Sequence, residues 1–454
     1  MENKFRISLI TFLLILAITM TMVLVFHQPP YIPLFISYII TFAIVLINGF
    51  SPQELVNMSI KGIKKGINVM IILLLIGALV ALWKQNGTLP ALIYYASHFL
   101  KPQAFLVVSF ITTSIISMIL GTAVGTASTI GIVIMGLAHG FSYSLPIVAG
   151  AVISGSFIGD RTSPLAGNVI LLSDMGEIEQ YNVLKSLFKT AIPTFVLTGL
   201  LYYLLSLHIN ISSPHTFDNL AAIILKNYKI NFFLFLAPIM IITLAFFRIS
   251  TKINLSIAVL LSYFVSLLNG YNPIDSLKVI MLGNISNIPE FKSIFSGGGM
   301  ISIFPMIGVV TFATALSGIL EGTGIIKAVF RKAQKIKNPK IAYLVTMLLS
   351  TLMAVITCNQ ALSVILPSRI MLDVFRNLNV KSDMMVRAIA DSGMILAGII
   401  PWNLAAMLPS AVLGVKVIDY LPYAYLNLLF PILSILIVFI ESNKQYSNAT
   451  IEEF

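Results

Sequence analysis

The chain has 454 residues, of which 58% are hydrophobic and only 10% are charged, and its mean hydropathy is +0.97. These values exclude a water-soluble globular protein, because too little polar surface remains to face water. The formal charge of +11 is explained by basic cytoplasmic loops of a membrane protein, so we expect no nucleic-acid partner. The apolar stretches are continuous runs of about 20 residues, which predict helices that span a lipid bilayer and not a β-barrel.

The first half of the chain, residues 1–215, is predicted to cross the membrane five times. Its first run is interpreted as a retained span, since no small-residue cleavage site follows it. A re-entrant hairpin is expected between the third and fourth crossings. In chain order the predicted elements are spans over 7–26, 32–49 and 67–83, the hairpin over 103–138, a broken helix over 145–172 and a span over 191–207.

The second half, residues 216–440, has the same order of apolar and polar segments. A short cytoplasmic tail is expected over 441–454, and no soluble domain is predicted. The predicted elements are spans over 232–247, 253–269 and 301–320, a hairpin over 341–367, a broken helix over 386–413 and a span over 421–440.

The similarity between the halves extends to short motifs. Gly121 precedes a second break at Pro164 by 43 residues, and Cys358 precedes Pro401 by the same distance. Several matches in the same order indicate a duplicated unit. The matched segments are NGFSP at 48–52 with NGYNP at 269–273, and GTAVGT at 121–126 with TCNQ at 357–360.

The charges of the loops indicate how the two halves are oriented. Residues 51–66 are basic, whereas the matching loop 272–299 has no net charge. Conversely, residues 321–340 are strongly basic, whereas the matching loop 84–101 carries only the two lysines at its ends. Since basic loops remain on the cytoplasmic side, equivalent loops face opposite sides. We therefore expect an all-α polytopic membrane protein made of two inverted repeats, with both termini in the cytoplasm.

The most unusual stretch is SFIGDRTSPLAGN at 156–168, which lies between two apolar runs. An acid at mid-membrane depth costs about 2.5–3.5 kcal/mol and commonly has a functional role. Helices interrupted by glycine and proline open their backbone to ions or substrates in transporters. The alternative is that Asp160 and Arg161 belong to an ordinary loop between two helices.

Pseudo-twofold symmetry would bring the two hairpin tips and the two broken helices together near the midplane. Hydroxyl, amide and carboxylate oxygens are ligands suited to a sodium-like cation. Asp160 and Asp391 are the only acids in these elements, and Asp160 and Asn359 are the residues expected to hold sodium. The helix breaks are Gly159, Pro164 and Pro401. The candidate ion- or substrate-binding residues are Thr122, Thr126, Asp160, Ser163, Asn168, Thr357, Asn359, Gln360, Ser363, Asp391, Ser392 and Asn403.

Other interpretations of these residues remain open. The glycines of GTAVGT could form a helix-packing face, and Thr122 and Thr126 could bond their own helix. Asp391 follows Arg387 by one helical turn and could form a structural pair with it. Arg161 could pair with an anionic substrate.

Enzymatic and cofactor-dependent activities are not expected. The five histidines show no metal-binding spacing, and no phosphate-binding loop is present. The expected partners are membrane lipid, small ions or small organic solutes.

These motifs resemble the NhaC-type sodium/proton antiporter family, a branch of a larger group of ion transporters. The resemblance rests on GT-x-x-GT at 121–126, GDR-x-SPL at 159–165, N-Q-x-L-S at 359–363 and DSG with IPWN at 391–403. It implies an inverted-repeat transporter of the elevator type that exchanges sodium for protons. By analogy it also implies a homodimer.

The chain departs from the family pattern at two places. Ala166-Gly167 stands where many relatives have a further acid, and Val124 stands where they often have an aromatic residue. The second half also has no counterpart of Asp160, so the site should depend on one carboxylate.

Two functions follow from this resemblance. The first is sodium/proton exchange with Asp160 as the main titrating group. The alternative is sodium- or proton-coupled transport of a small organic anion or amino acid. Its carboxylate would be held by Arg161 or by the helix N-termini after Pro164 and Pro401.

Overall fold

A computed structural model describes residues 2–99, 104–140, 143–208, 223–247, 249–286, 292–325 and 336–451. The expected boundary between the halves, at residues 215 and 216, lies outside these residues, as do 452–454 of the tail. The helices of the first half are α1 (Glu2–Met20), α2 (Tyr31–Ile47), α3 (Pro52–Asn86), α4 (Thr88–Phe99), α5 (Phe105–Leu120), α6 (Ala123–Thr126), α7 (Ile132–Gly140), α8 (Leu145–Thr162), α9 (Gly167–Gly176) and α10 (Gln180–His208).

The second half is also helical, and no strand occurs among the described residues of the chain. Its helices are α11 (Leu236–Phe246), α12 (Thr251–Leu268), α13 (Pro273–Leu282), α14 (Lys292–Phe295), α15 (Phe304–Gly322), α16 (Pro339–Thr357), α17 (Gln360–Asn377), α18 (Ser382–Ile389), α19 (Leu404–Leu413), α20 (Val417–Tyr420) and α21 (Tyr425–Ile451).

Within the described ranges, five helices are long and apolar enough to cross a membrane, and two bent helix pairs bring this number to as many as seven. Several other predicted spans form apolar helices of 10–17 residues. The chain is therefore a polytopic helical membrane protein, as expected. The five long helices are Pro52–Asn86, Gln180–His208, Thr251–Leu268, Ile301–Gly322 and Pro339–Thr357.

Helix α3 differs from its prediction. The sequence predicted a basic loop over 51–66 followed by a span over 67–83, but most of the loop and the span form one helix of 35 residues. At about 1.5 Å per residue such a helix is about 52 Å long, well beyond the ~30 Å hydrocarbon layer. A capping box between Ser51 and Glu54 starts it, and Gly87, with φ of +91°, ends it.

The segment expected to form a short cytoplasmic tail begins as a helix. Residues 441–451 continue α21. Glu441 accepts hydrogen bonds from the guanidinium of Arg387, with Nη2–Oε2 at 2.6 Å. This contact joins the end of the chain to α18.

Small residues set the positions of the helices around the polar breaks. A Cβ added to Gly159 of α8 would lie 1.9 Å from the carbonyl oxygen of Ser117 on α5, and one added to Gly393 would lie 2.0 Å from that of Ser350 on α16. Only glycine allows these backbones to approach so closely. The two close approaches place a broken helix against the first helix of a hairpin in each half.

Candidate functional site

The two hairpin tips have the same backbone design. Helix α5 ends at Gly121, whose φ is +67°, and α16 ends at Cys358, whose φ is +55°. The next residue in each case, Thr122 or Asn359, is extended and caps the following helix. The Thr122 hydroxyl accepts the Gly125 N–H at 3.5 Å, and the side-chain amide oxygen of Asn359 accepts the Ala361 N–H at 2.9 Å. Each tip is therefore a short unwound segment held by its own side chain.

The break after α8 separates two helices and lies beside the end of α5. Ser163 is extended, and its hydroxyl donates to the Met118 carbonyl at 2.7 Å and accepts the Leu165 N–H at 3.2 Å. These bonds give partners to a carbonyl near the end of α5 and to an N–H of the break.

The second broken element is more irregular. A π-helical turn over 390–394 is followed by a 3-10 turn over 397–399, and the helix resumes at α19. Asn403 caps α19 through the Ala405 N–H at 3.0 Å and donates to the Ala354 carbonyl at 2.7 Å. Asn403 thereby ties the break to α16.

The Asp160 carboxylate lies where the first tip, the first break and the second tip meet. It is 8% exposed. Its oxygens accept the Ala123 N–H at 3.4 Å, the Asn168 amide at 2.8 Å and the Gln360 amide at 2.9 Å. All three neighbours present N–H groups, an arrangement that suits an ionised carboxylate. The interpretation of Asp160 and Arg161 as an ordinary loop is wrong, because both lie in α8 and both are buried.

Gln360 connects this site to the second broken helix. Its amide nitrogen donates both to Asp160 and to the Met394 carbonyl at 2.9 Å. One side chain at the second tip thus contacts polar groups contributed by both halves.

Most of the predicted hydroxyl ligands face their own helices in this structure. The Thr126 hydroxyl donates to the Thr122 carbonyl at 2.8 Å, as the back-bonding alternative anticipated. Thr357, Ser363 and Ser392 likewise donate to nearby carbonyls, at 2.6 Å each. Of the predicted residues, Asn168 and Gln360 are the two that bond the Asp160 side chain among the described contacts.

Asp391 has a different partner from the one suggested by the sequence. Its carboxylate forms a salt bridge with Arg161, and both side chains are fully buried. Arg387 pairs instead with Glu441. The interpretation of Asp391 and Arg387 as a pair is wrong, because the π-helical turn places Asp391 beside Arg161 of α8. The contact could not be predicted from the sequence, since residues 161 and 391 are far apart along the chain.

The Arg161–Asp391 pair is enclosed by groups that sequence reasoning missed. The Arg161 guanidinium donates to Thr190 at 2.8 Å and to the Leu187 carbonyl at 3.1 Å, and it lies 4.2 Å from the centroid of the Phe430 ring. Ser434 donates to the other Asp391 oxygen at 2.6 Å. Arg161 is therefore occupied by protein groups in this conformation, and so is Asp391. In the sequence, the only indication of these partners was the presence of polar residues at helical spacing in the segments that form α10 and α21.

Glycine at the first tip has a testable steric role. We expect Gly121→Ala to lower both thermal stability and transport, because its Cβ would lie 2.8 Å from the Ala166 nitrogen at the α8–α9 break. Gly49→Ala is the matched control: Gly49 also has a positive φ, of +94°, but its Cβ would meet nothing within 4 Å. The control should lower the free energy of unfolding only by the cost of placing alanine in the left-handed backbone conformation, about 1–2 kcal/mol. Equal effects of both substitutions on the melting temperature would contradict the steric role.

Comparison with known proteins identifies the family. A model of the Na+/H+ antiporter family matches residues 158–441, more than half of the chain, and this match includes Asp160, Gln360 and the second break. The chain belongs to this family. The match places it among transporters and not among enzymes.

Several named relatives are similar to the chain over most of their lengths. The Na+/H+ antiporter NhaC of Bacillus subtilis is 28% identical over 448 residues, covering 96% of this chain and 98% of that protein. The malate-2H+/Na+-lactate antiporter of the same organism is 26% identical, covering 91% and 89%. The arginine/ornithine antiporter ArcD of Halobacterium salinarum is also 26% identical, covering 86% and 82%. The family membership therefore indicates secondary transport, while the named solutes differ between relatives.

Proposed function

We propose that the protein is a sodium/proton antiporter in which Asp160 carries either a proton or a sodium ion. The observation that carries this proposal is a buried carboxylate at the meeting point of two hairpin tips and a broken helix. The family to which the chain belongs supports the exchange of these two ions.

The single carboxylate accounts for coupling. Asp391 is neutralised by Arg161, so among the described residues Asp160 supplies the one uncompensated negative charge of the site. A buried negative charge requires a partner, and one carboxylate can be neutralised by one proton or one monovalent cation. Binding of one ion therefore displaces the other.

The neighbouring amides provide a way to bind the cation. Asn168 and Gln360 now donate N–H groups to Asp160. Turning each terminal amide by about half a rotation would replace these donors by carbonyl oxygens, which are suitable ligands for sodium. We propose that this reorientation accompanies the arrival of sodium.

We further propose that the halves are inverted repeats and that both termini are cytoplasmic. The matching tips, at Gly121–Thr122 and Cys358–Asn359, and the matching glycine contacts at Gly159 and Gly393 support the duplication. The opposite loop charges support the inversion. Such a repeat can expose one central site alternately to the two sides of the membrane.

Vesicle transport tests the proposed exchange. Purified protein is reconstituted into lipid vesicles that contain a trapped pH-sensitive dye, and sodium, lithium or potassium chloride is added outside at equal ionic strength. We expect sodium to make the lumen more alkaline, since entering sodium drives protons out, and potassium to have a much smaller effect. A lumen pH that stays constant with every cation would refute sodium/proton exchange.

Gln360 provides a graded test of the amide mechanism. We expect Gln360→Ala to raise the sodium concentration for half-maximal exchange about tenfold, because one ligand to a charged group is lost. Exchange should persist at saturating sodium, since Asp160 remains. Gln53→Ala, at an exposed glutamine of α3, is the control and should leave the value unchanged. A Gln360→Ala protein with wild-type sodium dependence would exclude Gln360 as a ligand.

A second candidate function is cation-coupled transport of a small organic solute. Relatives named as malate/lactate and arginine/ornithine antiporters favour it. In the vesicle assay this function predicts no pH change with sodium alone and a change once the organic solute is supplied.

A further inference from the structure

A cavity of about 420 Å³ lies where α3 and α15 face α7 and the end of α19. Most of the side chains in its wall are aliphatic or methionine, and no acidic side chain is among the described residues that line it. Its volume is in the usual range for ligand-binding cavities. The apolar part of the wall includes Ile76, Leu89, Met135, Met306 and Val412.

Two lysines, one from each half of the chain, also line this cavity. Lys84 is half-buried in the last turn of α3, and Lys416 is exposed in the segment after α19. The ion pairs formed within the described part of the chain involve other cations. Two ammonium groups without a protein counter-charge beside an apolar wall point to an anionic ligand, since a charge held away from water requires a partner.

The contacts of Lys84 place its ammonium at the edge of the cavity. Its Nζ donates to the Ser296 carbonyl at 2.7 Å and lies 3.8 Å from the position that a Cβ on Gly297 would occupy. The next residue, Gly298, lines the cavity. An ammonium has three N–H donors, so the one contact with a described residue leaves two of them for a ligand.

The rest of the wall is poorly suited to a small hydrophilic anion. The Ser302 hydroxyl donates to the Gly299 carbonyl at 2.8 Å. The Ser410 hydroxyl donates to the Val415 carbonyl at 2.6 Å. A small anion would therefore bind the lysines and leave the apolar wall uncovered, whereas a hydrocarbon chain would remove that wall from water. The cavity suits a ligand with a negative charge at one end and a hydrocarbon chain at the other.

We propose that this cavity binds an anionic phospholipid of the surrounding membrane. Its phosphate would lie between Lys84 and Lys416, and part of one acyl chain would lie against the apolar wall. The lipid would thereby join the end of α3 to the segment after α19 and stabilise their packing. In the proposed orientation both lysines lie on the side opposite to the cytoplasm, where basic residues are less frequent. This site is separate from the proposed ion site at Asp160.

Thermal stabilisation by matched lipids tests the proposed chemistry. Delipidated full-length protein in a neutral detergent is titrated with dioctanoyl phosphatidylglycerol while its melting temperature is recorded. We expect a saturable rise. Dioctanoyl phosphatidylcholine, which has no net charge, should be weaker by at least about fivefold. Dihexanoyl phosphatidylglycerol should be weaker by about 15-fold, because each methylene removed from the buried chain costs about fourfold in affinity.

Glycerol phosphate separates a lipid site from a site for free phosphate. It carries the charge of the headgroup without the acyl chains, so we expect it to leave the melting temperature unchanged. Stabilisation by glycerol phosphate at the concentrations at which phosphatidylglycerol acts would overturn the inference. Equal stabilisation by phosphatidylcholine and phosphatidylglycerol, or none by either, would also overturn it.

Variants locate the binding to this cavity. Lys416→Gln should raise the half-saturating concentration of phosphatidylglycerol about fivefold, and the exposure of Lys416 should preserve folding. Lys84→Gln should have a similar effect. Lys278→Gln is the matched control, because Lys278 is 64% exposed on α13, on the same proposed side of the membrane, and does not line the cavity. Wild-type lipid dependence in Lys416→Gln, or an equal loss in Lys278→Gln, would refute the location.

The lipid titration is independent of cation exchange, because it uses neither vesicles nor a sodium gradient. Stabilisation by phosphatidylglycerol in a protein that shows no sodium-driven pH change would leave this inference standing and refute the proposed sodium/proton exchange. Exchange without such stabilisation would do the reverse.

Discussion

Replacing Asp160 by asparagine is expected to abolish sodium-driven proton movement in vesicles. Asparagine preserves the size of the side chain but has no negative charge and no group that titrates in the working range. The site then loses the only uncompensated charge that its described residues carry, and neither a proton nor a sodium ion is held in exchange for the other. We expect the initial rate of the lumen pH change to fall at least about 100-fold, which corresponds to about 3 kcal/mol in the barrier for transport.

Two controls make this result specific. Asp160→Asn should elute as a monodisperse protein and retain its melting temperature within a few degrees, since a neutral amide in a buried polar site removes a charge without removing volume. Asp275→Asn changes an acid of α13 that is 62% exposed and should transport at the wild-type rate. Undiminished exchange by Asp160→Asn would refute the assignment of the transported charge to Asp160.

The second large effect is expected at the Arg161–Asp391 pair and concerns stability. Asp391→Ala should destabilise the protein by about 3–5 kcal/mol, because the guanidinium of Arg161 remains buried without its counter-charge. We expect a large fall in melting temperature and a loss of folded protein during purification. The double variant Arg161→Met with Asp391→Leu removes both charges and should recover most of that loss, since apolar residues often replace a buried ion pair at little cost.

An exposed pair provides the comparison. Arg376 and Glu177 also form a salt bridge, but their side chains are 50% and 59% exposed. Such pairs contribute about 0–1 kcal/mol, so Glu177→Ala should change the melting temperature only slightly. If the double variant at Arg161 and Asp391 were no more stable than Asp391→Ala, the loss would not come from an unpaired buried charge.

The sequence predicted the helical membrane class and the irregular elements well. Continuous apolar runs determine helices, and Gly121, Pro164 and Asn359 lie at breaks because each disfavours or terminates a regular helix. The lengths of helices were predicted less well. Helix α3 and helix α21 continue through polar segments, where capping and contacts with distant side chains decide the end of a helix.

The candidate site was predicted in part. Asp160 could be found because an acid in an apolar run is costly and therefore conspicuous. Its two side-chain partners, Asn168 and Gln360, were among the predicted ligands, although their amide nitrogens and not their oxygens face Asp160.

Other features of the site depend on tertiary packing. The Arg161–Asp391 pair joins residues on helices that become neighbours only after folding, and the π-helical turn that orients Asp391 has no clear local signature. The same holds for Lys84 and Lys416, which line one cavity although they belong to opposite halves of the chain.

Proton release on sodium binding tests the central claim most directly. Sodium chloride is added to weakly buffered, detergent-purified protein while the pH of the solution is recorded, with potassium chloride as the reference. At a pH where Asp160 is protonated we expect wild-type protein to release about one proton for each sodium ion bound, and its apparent sodium affinity to fall as the pH is lowered. Asp160→Asn should release none. Sodium binding by the wild-type protein without proton release at any pH would contradict the exchange of the two ions at one carboxylate.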